Sequence, residues 1–316
     1  MRLPIILAHG IAPFDRLYRS LLTAVFERLG LRSDRFTYFR KIASHLESHG
    51  FTVHSPQVGF AGAIDVRAQE LARAVRRILD KSTADKVHVI AHSLGGLDTR
   101  HMIVKHGMER AVATVTTLGT PHLGTILADL AFEEDSANGI ARGRFAHLGI
   151  HRGGDILRTL EALGIDDFAG FRDLRTSQCR DFNTEAAPRE ASNAVDYVTW
   201  SSHQDLARVF GPLKIPAAIL TELEGENDGL GAASSHAWAG KVEGNGAEKT
   251  IEQHKVPFGA DHLNQLGWWD LDELANTGFF PLGLRSRIRR FEQRVGALYL
   301  QMARHAEELA TARAAL

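Results

Sequence analysis

The stretch that most constrains the chain is Val87-His88-Val89-Ile90-Ala91-His92-Ser93-Leu94-Gly95-Gly96. A short, mostly apolar run reads as a buried strand, and residues 96–106 after it read as a helix. A strand that passes straight into a helix at a serine needs a tight, strained turn. Side chains two positions either side of the serine would collide in such a turn, and Ala91 and Gly95 keep that space open. Alanine stands at the first of these positions, where glycine is more usual. The turn lifts Ser93 Oγ above the strand ends, and the following helix points its free N–H groups and positive dipole end toward it. A bare five-residue pattern recurs by chance, but its strand–turn–helix setting is far more specific.

The rest of the chain supplies the surroundings this turn needs. Residues 3–8 form an apolar run closed by His9-Gly10, a strand entering a tight loop. Helical spacing follows at 40–48, a strand at 51–54 and an amphipathic helix at 66–79 with its arginines on the outer face. Strands are expected at 87–90, 112–118, 195–200 and 217–220. Continuous apolar strands alternating with helices predict an α/β fold with a mostly parallel sheet and helices on both faces. No linker divides the 316 residues, so one domain is expected. The stretch 125–171 breaks the rhythm and is expected as two or three helices inserted as a lid or cap. Residues 285–314 carry a long helical pattern, read as a helix packed on the sheet.

Composition excludes several classes. A net charge of −1 gives no electrostatic footprint for nucleic acid. No window holds the apolar length of a membrane span. The single cysteine, Cys179, cannot form an internal disulfide. It lies between Arg175 and Arg180, but nothing else near it looks catalytic. The opening apolar run is too short for a signal peptide's core, which predicts a cytoplasmic location; secretion of a processed form or by a leaderless route is left open.

A serine is a weak nucleophile until a base takes its proton. In folds with this elbow, the acid and then the histidine follow the serine in the chain. Asn227-Asp228-Gly229-Leu230, placed after the expected strand ending near Leu220, and Asp261-His262-Leu263 suit that order. Asp228 is the expected acid, with Asp261 its rival. His262 is the expected base among 16 histidines, with His236 and His254 its rivals. Ester hydrolysis passes through an oxyanion that needs preorganised N–H donors. Leu94, directly after the serine, and Ile11, in the loop after the first strand, are the candidates.

Together these segments resemble the bacterial triacylglycerol lipases of the Pseudomonas and Burkholderia type, within the α/β-hydrolase superfamily. The matching segments are Leu3-Pro4-Ile5-Ile6-Leu7-Ala8-His9-Gly10, the Ala-His-Ser-Leu-Gly-Gly elbow, Leu118-Gly119-Thr120-Pro121-His122-Leu123-Gly124, Asn227-Asp228-Gly229-Leu230 and Asp261-His262-Leu263. The resemblance implies hydrolysis of acyl-ester or lipid substrates by a Ser93–His262–Asp228 triad, with transient contact at a lipid–water interface. It also implies that the first strand here is the third of the general fold, and that the Gly119–His122 turn forms part of the site rim. Alternatives within the fold are a short-chain carboxylesterase, a polyester hydrolase or an acyltransferase. A ligand-binding relative that has lost its chemistry is a different class, and it usually lacks a triad member. No cofactor is required. The relatives often carry a structural calcium; here only Asn264 and Asp205 are candidate ligands, and Asn stands where the relatives have a carboxylate.

Overall fold

The computed structural model describes residues 2–11, 38–59, 62–132, 144–161, 168–268 and 281–315. Its centre is a six-stranded sheet. In chain order the strands are β1 (Ile5–Ala8), β2 (Val53–His54), β3 (Val87–His92), β4 (Val112–Leu118), β5 (Asp196–Ser201) and, after a hairpin, β8 (Glu252–Lys255). They lie in the order β2-β1-β3-β4-β5-β8, and every neighbouring pair is parallel. The hairpin is β6 (Lys241–Gly244) with β7 (Ala247–Thr250), joined by Asn245-Gly246 with both residues at positive φ. That is the chemistry of a two-residue turn matched to strand twist.

The helices are α1 (Ile42–Ser48), α2 (Ile64–Leu79), α3 (Leu94–Lys105), α4 (Ile126–Phe132), α5 (Gly153–Glu161), α6 (Thr176–Ser192), α7 (Lys214–Leu223), α8 (Ala233–Ala237) and α9 (Pro281–Ala314). The alternation of side chains along β1 divides the core in two. Ile5 and Leu7 face α1 and α9, meeting Leu46, Leu298, Tyr299 and Met302. Ile6 and Ala8 face α2 and α3, meeting Leu71, Val75, Met102 and Ile103. Burial on both faces is why these strands carry apolar residues without polar alternation. Among the described residues, no helix is long and apolar enough to cross a membrane.

Two expectations fail. Residues 217–220, expected as a strand, lie inside helix α7. A short apolar run does not distinguish strand from helix by periodicity. Pro216 in the first turn suits a helix start, and the buried positions Pro216, Ala217, Ile219 and Leu220 have helical spacing. The strand that completes the sheet is instead the polar segment Glu252–Lys255. The second failure is Arg67. It was expected on the outer face of its helix, but it is fully buried.

Of the stretch 125–171, residues 133–143 and 162–167 lie outside the described residues. The described part holds α4, α5 and a single turn at Ala169–Arg172. Leu127, Ile156, Leu160 and Phe171 join the same core as α1 and α9. Gly153 lets α5 start against the end of α4, since a Cβ there would stand 2.6 Å from the carbonyl oxygens of Leu130 and Ala131.

Candidate active site

Ser93 sits between β3 and α3 with φ 57 and ψ −135. That conformation is strained for a residue with a Cβ, and such strain concentrates at functional turns. The close packing that holds it is visible at the glycines. A Cβ on Gly95 would come 2.5 Å from the Ala8 carbonyl oxygen and 2.7 Å from that of His9. A Cβ on Gly10 would come 2.6 Å from Ser93 Cβ and 3.0 Å from Ser93 Oγ. The loop after β1 therefore lies directly against the serine. Thr120 Oγ1 donates to the Ser93 carbonyl (2.8 Å), and Ser93 N–H donates to the Leu118 carbonyl (3.0 Å), which ties the elbow to the end of β4.

Asp228 and His262 are brought together although 34 positions separate them. His262 Nδ1 lies 2.6 Å from Asp228 Oδ2, and its backbone N–H donates to the Asp228 carbonyl at 2.8 Å. Asp228 Oδ1 accepts from the N–H groups of Leu230 (3.0 Å) and Gly231 (2.9 Å). Burial alone would raise this carboxyl. The adjacent His262 and His236, with these hydrogen bonds, outweigh burial and hold it below the usual carboxylate range. The carboxylate only accepts, so the His262 proton sits on Nδ1 and Nε2 keeps its lone pair.

None of the rivals replaces this pair. Asp261 accepts from the N–H groups of Leu263 (3.0 Å), Asn264 (2.8 Å) and Phe210 (2.8 Å), which fastens the loop carrying His262. His236 Nε2 stands 3.6 Å from Asp228 Oδ2, beyond hydrogen-bonding distance. His254 lies on β8, against Glu252.

A buried polar chain of three side chains backs the Asp228–His262 pair, and the sequence marks none of the three. Gln265 Nε2 donates to Asp228 Oδ2 (2.7 Å) and its Oε1 lies 3.0 Å from His92 Nε2. Tyr38 Oη lies 2.7 Å from His92 Nδ1. Burial, with the neighbouring His262, keeps His92 neutral well below the ordinary histidine range. The donor directions then follow from the carboxylate outward. Gln265 must present its amide N–H₂ to Asp228 and its oxygen to His92. His92 donates from Nε2 and accepts the Tyr38 hydroxyl proton at Nδ1. The His92 and His262 rings pack with centroids 4.5 Å apart, beside the serine.

The oxyanion candidates are a second buried construction. Leu94 is the first residue of α3, where N–H groups have no intrahelical acceptor. Across the site, Arg67 Nη2 donates to the carbonyls of His9 (2.9 Å) and Gly10 (3.3 Å) and to Asp98 Oδ2 (2.6 Å). Asp98 comes from α3, so one ion pair joins α2, the nucleophile's helix and the loop after β1. In a trans peptide the C=O and the next N–H point opposite ways. Anchoring the Gly10 carbonyl on Arg67 therefore aims the Ile11 N–H away from Arg67. His9 steadies the same loop: its Nε2 accepts from Val58 N–H (3.1 Å), and burial beside Arg67 lowers its pKa to about 4.

Other expectations come out differently. The Gly119–His122 turn meets the elbow through Thr120, but the His122 side chain is fully buried, stacked on Trp238 at 4.8 Å, with Nδ1 3.3 Å from Arg100. Arg100 in turn holds Glu190 through two hydrogen bonds of 2.7 and 2.9 Å. Cys179 is buried, and burial pushes its thiol up to about 12, unsuited to a nucleophile. The donors named for calcium do not fit an ion. Asn264 Oδ1 accepts from Asp261 N–H (3.2 Å) and Nδ2 donates to the Trp268 carbonyl (2.9 Å), both within a buried turn, whereas Asp205 is exposed.

A parallel sheet with a strained strand–serine–helix elbow, together with a buried Asp–His pair delivered by later loops and packed on the ring of His92 beside the serine in the chain, defines the class of the α/β hydrolases. The chain belongs to that family: the family model described as the alpha/beta hydrolase fold matches residues 4–196. It is similar to carboxylic ester hydrolases. A Vibrio cholerae protein named triacylglycerol lipase is 28% identical over 253 residues, 74% of this chain and 73% of that one. A Pseudomonas fragi protein of the same name is 27% identical over 259 residues, 74% of this chain and 82% of that one. The crystal structure of Staphylococcus hyicus lipase superposes with a TM-score of 0.54 at 16% identity, covering 97% of both chains. At that identity the likeness concerns the fold.

Proposed function

We propose that this chain is a lipase-type carboxylic ester hydrolase, with Ser93 as nucleophile, His262 as base and Asp228 as the acid that orients it. The observation that carries this reading is the buried His262 Nδ1–Asp228 Oδ2 contact of 2.6 Å, with the carboxylate held ionised, in a chain with the Ser93 elbow. Ser93 Oγ attacks the ester carbonyl carbon while His262 Nε2 takes its proton. The N–H groups of Ile11 and Leu94 receive the negative charge on the carbonyl oxygen. The tetrahedral species collapses, the alkoxide leaves with the proton from His262, and water then releases the acid from the acyl-enzyme by the same route. Neither step needs a metal.

The names of the similar proteins support acylglycerol substrates. Hydrolysis of p-nitrophenyl esters of rising chain length and of emulsified triglyceride tests this, run in calcium and in EGTA. Rates that hold or rise beyond butyrate, identical in the two media, are expected. Activity confined to acetate and butyrate would make the protein a short-chain esterase. A fluorophosphonate should label the intact protein and fail on Ser93→Ala. Absence of labelling in the intact protein would rule out the serine mechanism.

A further inference from the structure

At the edge of the sheet farthest from β2, three side chains from two distant segments converge. Glu252 and His254 alternate on β8, so strand geometry puts both on one face. His305 comes from α9, and its Nε2 lies 2.9 Å from Glu252 Oε2 while His254 Nε2 lies 2.7 Å from Glu252 Oε1. The three ligand atoms lie within 4.8 Å of one another. All three residues are half-buried, so an ion and its remaining waters have access. We propose that Glu252, His254 and His305 form a structural site for a divalent first-row transition metal of the zinc type.

The donor set suits that ion. Two imidazoles and one carboxylate, with water completing the shell, are ordinary zinc ligands, whereas calcium and magnesium prefer all-oxygen sites. Bonds of ~2.1 Å in a tetrahedron place ligand atoms ~3.4 Å apart, so small side-chain rotations convert the hydrogen-bonded cluster into a coordinating one. The surroundings orient the ligands. The His254 ring stacks on Trp200 at 4.5 Å and 18°, which fixes its plane. A metal on His305 Nε2 requires the proton on Nδ1, and Glu308 Oε2, 3.6 Å from that atom and on an exposed side chain, comes into hydrogen-bonding distance by a small rotation. A carboxylate behind the second ring nitrogen is the usual outer partner of a metal-bound histidine.

The placement gives the ion a purpose. Among the described residues β8 is an edge strand, hydrogen-bonded in the sheet to β5. The chain leaving it delivers His262 to the active site. A metal shared by β8 and α9 staples this edge to a helix that already packs on the sheet through Tyr299, Met302 and Ala303. It would stabilise the support of His262 without touching substrate.

The test uses protein stripped by a chelator and then titrated with zinc chloride by calorimetry. Uptake of about one equivalent is expected, with a rise of roughly 4 °C in the unfolding midpoint at a hundredfold excess over Kd. His305→Gln and His254→Ala should each abolish uptake and shift, while retaining hydrolysis of p-nitrophenyl butyrate at 25 °C. His49→Ala, which breaks the ring contact between His49 and His45 of α1, away from β8, should change neither. Cobalt(II) added to the intact protein should give the visible bands of a low-coordinate nitrogen–oxygen site, a readout that does not depend on how the variants fold. No uptake, uptake that survives His254→Ala with His305→Gln, loss of uptake in His49→Ala, or six-coordinate cobalt spectra would each overturn the proposal.

Discussion

Gln265 shows how much of an active site can hang on a residue with no chemistry of its own. Its amide is the link between Asp228 and His92, and removing it leaves Asp228 Oδ2 with His262 as its remaining side-chain donor. Hydrogen bonds to a buried charge are worth about 1.5–3 kcal/mol. Gln265→Ala is therefore expected to lower kcat by roughly 10- to 100-fold with KM little changed, because the imidazole is misaligned while the acyl site is intact. Steady-state kinetics check it, and a raised KM with an unaltered kcat would assign Gln265 to substrate binding instead. Asp228 and His262 could be read from the sequence because each lies in a short local pattern in the right chain order. Gln265 and His92 could not. Their link spans 173 positions, and its donor directions exist only once the carboxylate is buried beside them.

Between elements, the Arg67–Asp98 pair does for the loop after β1 what Gln265 does for the acid. Breaking a buried pair by removing one partner leaves an uncompensated charge and typically costs about 3–5 kcal/mol, whereas replacing both partners with apolar groups is often neutral. Arg67→Met alone should lower the urea midpoint sharply. Adding Asp98→Leu should restore most of it. Activity should stay depressed in the double variant, since nothing then anchors the Gly10 carbonyl and aims the Ile11 N–H. A double variant with full kcat would reduce the pair to a packing element. Helix periodicity sets Arg67 among exposed arginines, because a helical wheel cannot show that Asp98 waits on the neighbouring helix. The same limit explains the misread strand. β1, β3 and β4 are legible since burial on both faces selects continuous apolar runs. β8, at the edge, needs only one strand neighbour and is built from Glu, Gln, His and Lys, a composition that carries no strand signal.

Across the whole molecule, buried histidines set the acid limit of stability. Burial lowers the pKa of His9 and His88 to about 4 and of His101 to about 3, and it takes His92, His122 and His236 below the ordinary value of 6.5. In the unfolded chain these rings accept protons near pH 6.5; in the folded protein they stay neutral until far lower pH. Below pH 6.5 the unfolded state therefore binds more protons, and acidification favours unfolding. Each such proton contributes a slope of about 1.4 kcal/mol per pH unit, so several together make the decline steep between pH 7 and pH 4. Asp98 opposes the trend in part: burial raises its pKa to about 6, so the folded state gains a proton in the same interval. Asp228, whose folded pKa is depressed, adds to the loss only below about pH 4, where the unfolded carboxyl protonates. Urea midpoints measured from pH 8 to pH 4.5 should hold above pH 7 and fall continuously below it. His88→Gln removes one ring that is buried against Thr114, near the end of β3 away from Ser93, and it should make that fall shallower by about one proton's slope. A midpoint that stays level down to pH 5 would mean that these rings are charged, and solvated, within the fold.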